Sequence, residues 1–180
     1  MAKIGINCCN ICKKKGIIAT EAGNWLCKDC FCRLVDRRVN KEIKKNLVHR
    51  GERIGIIGRS NEAIVLFEFL KPLAKAMDAS VDWPAKPKKK YSKLYEPHCL
   101  EKVAASFLDN ACRGRFITCE ARKNPLRFIT RQELSSYAKI KGLKQKKEKI
   151  SKTESLLDRT EKKFPGTKFS IMGSIERLGL

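Results

Sequence analysis

Apolar residues recur at spacings of three and four through much of the chain, a rhythm that predicts helix. Phe31, Leu34, Val35, Val39, Ile43 and Leu47 share one face of a first helix, opposite Arg37, Arg38, Lys41, Lys44 and Lys45. His49-Arg50-Gly51 ends it. RIGIIG, residues 53–58, breaks the period and reads as a short buried strand closed by glycine. From Asn61, taken as N-cap, a second helix carries Ala63, Phe67, Leu70, Ala74 and Met77 on one stripe, with Pro72 expected to kink or end it. Strand, glycine turn and apolar helix open an α/β unit whose strand is covered on both faces.

Residues 83–97 form a basic, proline-punctuated stretch that reads as a linker. Beyond it, Leu100, Val103, Ala104, Phe107, Leu108 and Ala111 line a helix stopped at Gly114. Thr130 and Glu133 make a capping box for a helix that Gly142 closes. KQKKEKISK is nearly pure charge. A last helix is expected over Glu154–Phe164, and TKFSIM reads as an edge strand. The expected organisation is a metal-binding module over 1–32, a basic connecting helix over 33–50 and an α/β domain over 51–180.

Charge changes the picture most. Forty Lys and Arg stand against 19 Asp and Glu, a formal net charge of +21, spread along all 180 residues. Self-repulsion at that density calls for a polyanionic partner, and RNA or DNA is the obvious one. A membrane surface fits less well, because no helix joins a basic face to exposed Trp or Phe. Candidate RNA-contacting residues are Arg37, Arg38, Lys44, Lys45, Lys86, Lys88, Lys89, Lys90, Lys144, Lys146 and Lys147. Tyr91 is a candidate for base stacking, as is Tyr95; packing against a neighbouring helix explains either tyrosine equally well. No run of about 18 apolar residues suits a membrane span, and the start lacks a signal-peptide core, so a cytoplasmic location is expected.

In such a reducing compartment paired cysteines point to metal. Cys9-Asn-Ile-Cys12 and Cys27-Lys-Asp-Cys30 are two C-x-x-C turns separated by 14 residues, the spacing of a zinc ribbon or knuckle. Four protein ligands leave no open position for a catalytic water, so the expected ion is one structural Zn2+. Cys8 and Cys32 read as small buried hydrophobes, and the isolated Cys99, Cys112 and Cys119 as core packing.

The turn Gly58-Arg59-Ser60-Asn61-Glu62-Ala63 has one glycine and no P-loop signature, and Glu62 would set a negative charge where phosphates sit. His49 and His98 have no evident acid partner. The two C-x-x-C pairs, Leu26-Cys27-Lys28-Asp29-Cys30-Phe31 and the following R-V-N-K-x-I resemble the tRNA 2-thiouridine synthetases, of the PP-loop ATP-pyrophosphatase superfamily. GERIGIIGRSNEA falls where those enzymes have their ATP loop, S-G-G-K-D-S. PHCLEKVAASFLDNACRG is similar to their H-N-L-D-D helix, and NPLRFITRQELSSYAKIKGL and FPGTKFSI to their C-terminal segments. The resemblance implies an α/β fold of the HUP-like PP-loop type, truncated, with a helical C-terminal part. It also exposes departures: the ATP loop is altered, Glu101 and Lys102 replace the paired aspartates, a middle segment with a catalytic C-x-x-C is missing, and the expected later cysteines are absent.

These features lead to the expectation of a degenerate relative that is not an enzyme and needs no ATP or small-molecule substrate. It would be a zinc-containing RNA-binding protein, a structural ribosomal component contacting rRNA and ribosomal proteins. The alternatives are an inactive subunit gripping tRNA in a 2-thiolation complex, and an active ATP-dependent thiolation enzyme. The ribosomal component and the inactive tRNA-gripping subunit share a prediction: RNA affinity, measured by filter retention, falls steeply and log-linearly with salt as neutralised phosphates release counterions. A salt-independent affinity would contradict it.

Overall fold

The computed structural model describes residues 8–20, 23–45, 48–85, 90–115 and 124–179. Its centre is strand β3, Arg53–Ile57, the RIGII segment of the sequence. Ile54 and Ile56, on one face, and Gly55, on the other, are all buried, as a strand covered on both faces requires. β4 (Ser80–Ala85) and β5 (Lys93–Tyr95) flank it in the order β4-β3-β5, both pairs parallel. The expected 83–97 linker is thus corrected: its first residues complete β4 and Lys93–Tyr95 form β5, because Leu94 and Tyr95 supply apolar surface for β3 to pair beside. Residues 86–89 lie outside the described residues.

Six helices accompany the sheet among the described residues. α1 (Lys28–Lys45) buries Phe31, Val35, Val39 and Ile43, the expected stripe. α2 (Asn61–Ala76) packs on β4 and on α4 (Arg131–Ile140), which also contacts α1. α3 (Leu100–Cys112), α5 (Lys152–Lys163) and α6 (Thr167–Arg177) contact one another. Two short strands, β1 (Ile18–Ala19) and β2 (Trp25–Leu26), form an antiparallel pair ahead of α1. One cluster of buried side chains runs from Cys9, Leu26 and Cys27 through Phe31 and Val35 to Ile54, Ile56, Leu66 and Leu134. Among the described residues no helix is long and apolar enough to cross a membrane.

Caps set the helix boundaries. Thr130 Oγ1 accepts from the Glu133 N–H at 3.1 Å, and the Glu133 carboxylate accepts from the Thr130 N–H at 3.1 Å. Ser151 and Glu154 repeat this box at the head of α5. Gly114 and Gly142 end α3 and α4 with φ of +64° and +68°.

Three local expectations change. Ser60, not Asn61, is the N-cap of α2. The helix runs through Pro72, which is exposed, so the acceptor deprived of its N–H lies on the solvent side. TKFSIM is the first half of α6 rather than a strand, because Lys168, Met172 and Ile175 bury at helical spacing. Cys112 is exposed, Cys8 is exposed and Cys32 half-buried, against the packing roles expected of them; Cys99 is buried. Cys119 lies outside the described residues.

Gly55 is the tightest point in the sheet. A Cβ there would stand 2.7 Å from Leu94 Cδ1, 3.0 Å from Ala85 Cβ and 3.1 Å from Tyr91 Cγ. Gly55→Ala is therefore expected to destabilise the fold by about 1–3 kcal/mol in denaturant unfolding. An unchanged midpoint would contradict this packing.

Candidate metal centre and the cavity at the head of α2

Asn10 builds the first cysteine turn. Its N–H donates to Trp25 O at 2.9 Å, its Oδ1 accepts from the Trp25 N–H at 3.1 Å, and its Nδ2 donates to Asn24 Oδ1 at 2.9 Å. The turn is thereby stitched to β2. Lys13 closes it with φ of +61°, donating its N–H to Cys9 O at 2.9 Å. The second pair sits where β2 passes into α1, with the Phe31 N–H on Cys27 O at 3.0 Å.

The two turns bring the sulfurs of Cys9, Cys12, Cys27 and Cys30 within 4.8 Å of one another, with Cys12 and Cys27 at 3.5 Å. Thiolates held about 2.3 Å from one tetrahedral ion stand about 3.8 Å apart, so this spacing suits a single metal ion. The electrostatics are prepared for one. Burial works against ionisation of Cys9, but N–H groups of Cys12, Cys27 and Ile11 aimed at its sulfur bring it down to about 6. The Cys30 N–H lowers Cys27 against its own burial. Cys30 is pushed up to about 12 by burial and by the neighbouring sulfurs. Four thiolates cannot coexist here unless a cation replaces the protons. Among the described residues this is the only group of three or more such ligands.

A second constellation lies at the end of β3. Gly58, with φ of +80°, turns the chain toward α2, and the Trp83 indole N–H holds its carbonyl at 2.9 Å. Ser60 Oγ accepts from the Ala63 N–H at 3.3 Å. Glu62 does not point a free charge at the turn: it is buried, and Lys102 Nζ, from the first turn of α3, lies 2.6 Å from its Oε1. Burial raises the Glu62 carboxyl, and Lys102, together with the Glu62 N–H and the Ser60 hydroxyl, more than reverses that, holding it below its ordinary value. Lys102 also reaches Glu148 Oε2 at 3.0 Å, and Glu148 Oε1 accepts the Asn61 N–H at 2.8 Å. A cavity of about 900 Å³ opens here between the heads of α2 and α3, α4, the 145–150 segment and α5. Arg131, Lys168 and Glu101 line it; Lys168 Nζ lies 2.9 Å from Glu101 Oε1 and 2.9 Å from Asp158 Oδ1.

The candidate RNA residues fall as follows. Arg37 and Lys44 are exposed on α1. Arg38 is engaged with Glu133 at 2.8 Å, and Lys45 with Glu42 at 2.7 Å. Lys90 is exposed, 3.5 Å from Asp82 and over the half-buried Tyr91 ring. Tyr95 is buried in the core, which removes it from base stacking. Lys144, Lys146 and Lys147 are exposed on the irregular stretch that delivers Glu148. Lys86, Lys88 and Lys89 lie outside the described residues. Sequence reasoning missed Lys102 and Glu148 as partners of the turn; the signal was the lone glutamate inside a lysine run.

No family model matches the chain, and no curated protein sequence does. Its fold is similar to that of the U34-tRNA thiolase NcsA from Methanococcus maripaludis, a structure with a [4Fe-4S] cluster. The TM-score is 0.76 at 18% identity, over 96% of this chain and 88% of that one. This finding corrects two expectations. A ribosomal structural component does not follow from the charge, since nearly the whole chain takes the fold of a tRNA thiolase. Nor does the altered loop make the chain a non-enzyme: the protein whose fold it resembles is an enzyme, and groups remote in sequence converge on the loop. Removal of the metal by a chelator is expected to expose the amides of residues 8–30 to hydrogen exchange while Ile54–Ile57 stay protected, because two-residue strands cannot hold themselves together. Unchanged protection in 8–30 would contradict a structural role.

Proposed function

We propose that the protein is a tRNA-modifying enzyme of the thiolation class, a divergent relative of the PP-loop thiolases. The observation that carries this reading is the fold similarity over 96% of the chain, joined to the sequence resemblance that runs in order along it. The +21 charge supports tRNA as the macromolecular substrate, with Arg37, Lys44, Lys90, Lys144, Lys146 and Lys147 as exposed phosphate contacts.

ATP would bind with its phosphates at the turn 58–63 and would supply activation of a base carbonyl oxygen as a leaving group. The fit rests on an anion already held there: the Glu148 carboxylate takes the α2 N–H of Asn61 and the Lys102 ammonium together. Lys102, on the first turn of α3, supplies a cation beside the head of α2. Ser60 orients the first turn of α2, and Glu62 keeps Lys102 in place.

The cysteine module holds a single structural zinc ion in this reading. The spacing within 4.8 Å suits one ion better than a four-iron cluster, whose bulk would stand between the sulfurs. Elemental analysis is expected to give one zinc per chain; iron with inorganic sulfide would contradict it. The activity test incubates the protein with tRNA, ATP and a sulfide donor and digests the tRNA for mass spectrometry. A thiolated nucleoside requiring all three is the expected result. Its absence with folded, metal-loaded protein that binds tRNA would overturn the reading.

A further inference from the structure

The group nearest the α2 N–H donors is a carboxylate from the same chain. Glu148 Oε1 accepts from the Asn61 N–H at 2.8 Å, and Glu148 Oε2 accepts from Lys102 Nζ at 3.0 Å. The Asn61 side chain then clasps the backbone of residue 146 in both directions, donating to Lys146 O and accepting from the Lys146 N–H, each at 2.8 Å. A second clasp lies just upstream, where Gln145 Nε2 donates to Ser135 O at 3.0 Å and Ser135 Oγ donates to Gln145 Oε1 at 2.8 Å.

These bonds hold a segment with little else to hold it. Residues 143–150 have no helix or strand, and Lys144, Lys146, Lys147, Lys149 and Ile150 are exposed. Such a stretch has few buried contacts to lose and can leave without disturbing the core. An independent observation marks the space it closes as incomplete. Glu62, buried to 3% side-chain exposure, lines the same cavity, and its Oε2 accepts no hydrogen bond. A buried carboxylate oxygen without a donor costs free energy that a ligand bringing a donor or a divalent cation would recover.

The geometry points to an intrachain latch: residues 144–150 place the Glu148 carboxylate where a ligand phosphate belongs, so a phosphate-bearing ligand binds by displacing it. The latch deepens the nucleotide site of the proposed function and rests on that reading for its biological ligand, though not for its test. A closed latch keeps the cavity from taking free anions, which a chain so basic would otherwise collect. Because Glu148 occupies both the Asn61 N–H and one side of Lys102, its removal frees that N–H and opens a position on the ammonium, which stays anchored 2.6 Å from Glu62 Oε1.

The test uses inorganic pyrophosphate with magnesium on the full metal-loaded chain, by calorimetry and by hydrogen exchange. Glu148→Ala is expected to bind the probe at least tenfold more tightly than the wild type. Glu148→Gln, which keeps the shape and the acceptor for Asn61, is expected to gain less, and it keeps the test open should the alanine variant not fold. In the wild type, saturating probe is expected to deprotect the Lys146 amide as the clasp with Asn61 opens. Equal or weaker binding by the variants, no binding by any form, or a Lys146 amide that stays protected in the bound wild type would each overturn the latch. Loss of thiolation alone, with this competition intact, would sink the proposed reaction and leave the latch standing.

Discussion

The position of Lys102 between Glu62 and Glu148 is the constraint on which the cavity depends. A carboxylate as buried as Glu62 tolerates its charge only with a cation against it, and Lys102 lies 2.6 Å away. That requirement fixes the first turn of α3 against the first turn of α2, and with it the mouth of the cavity. Neighbouring buried pairs extend the same logic: Lys168 ties α6 to Glu101 on α3, and Arg127 lies 2.9 Å from Glu42 on α1. Opposite charges, rather than apolar contact alone, hold the C-terminal helices against the sheet-bearing half.

The cysteine module answers a different shortage. β1 and β2 have two residues each, too little backbone pairing to persist alone. Four sulfurs gathered by two turns replace a core with coordination, and N–H donors around Cys9 prepare it for the ionised form. Cys9, Cys27 and Phe31 belong to the same buried cluster as Ile54 and Ile56, so the module packs on the core of the strand that carries the turn while depending on the metal for its own order.

Much of this was legible in the amino-acid order. The cysteine quartet, the β3–turn–α2 unit, the Thr130–Glu133 capping box and the glycine stops are local signals, each with a short-range physical cause. What failed was non-local or ambiguous. Tyr95 reads as a candidate base platform until β5 pairs with β3, and TKFSIM has strand-like residues whose helical burial appears only when α6 packs on α3. The largest misreading concerned function. Loss of the loop's usual residues reads as loss of chemistry, whereas Lys102 and Glu148 approach the same point from 41 and 87 positions beyond Asn61 in the numbering. Net charge, likewise, identifies a polyanion without distinguishing rRNA from tRNA.

The central claim is that the head of α2 and Lys102 form a phosphate site inside a thiolase-like fold. A crystal structure of the metal-loaded chain soaked with a non-hydrolysable ATP analogue tests it most directly. The account predicts a phosphate within hydrogen-bonding distance of the Asn61 N–H and Lys102 Nζ, with Glu148 withdrawn. A nucleotide bound elsewhere, with Glu148 still seated between those two donors, would contradict it.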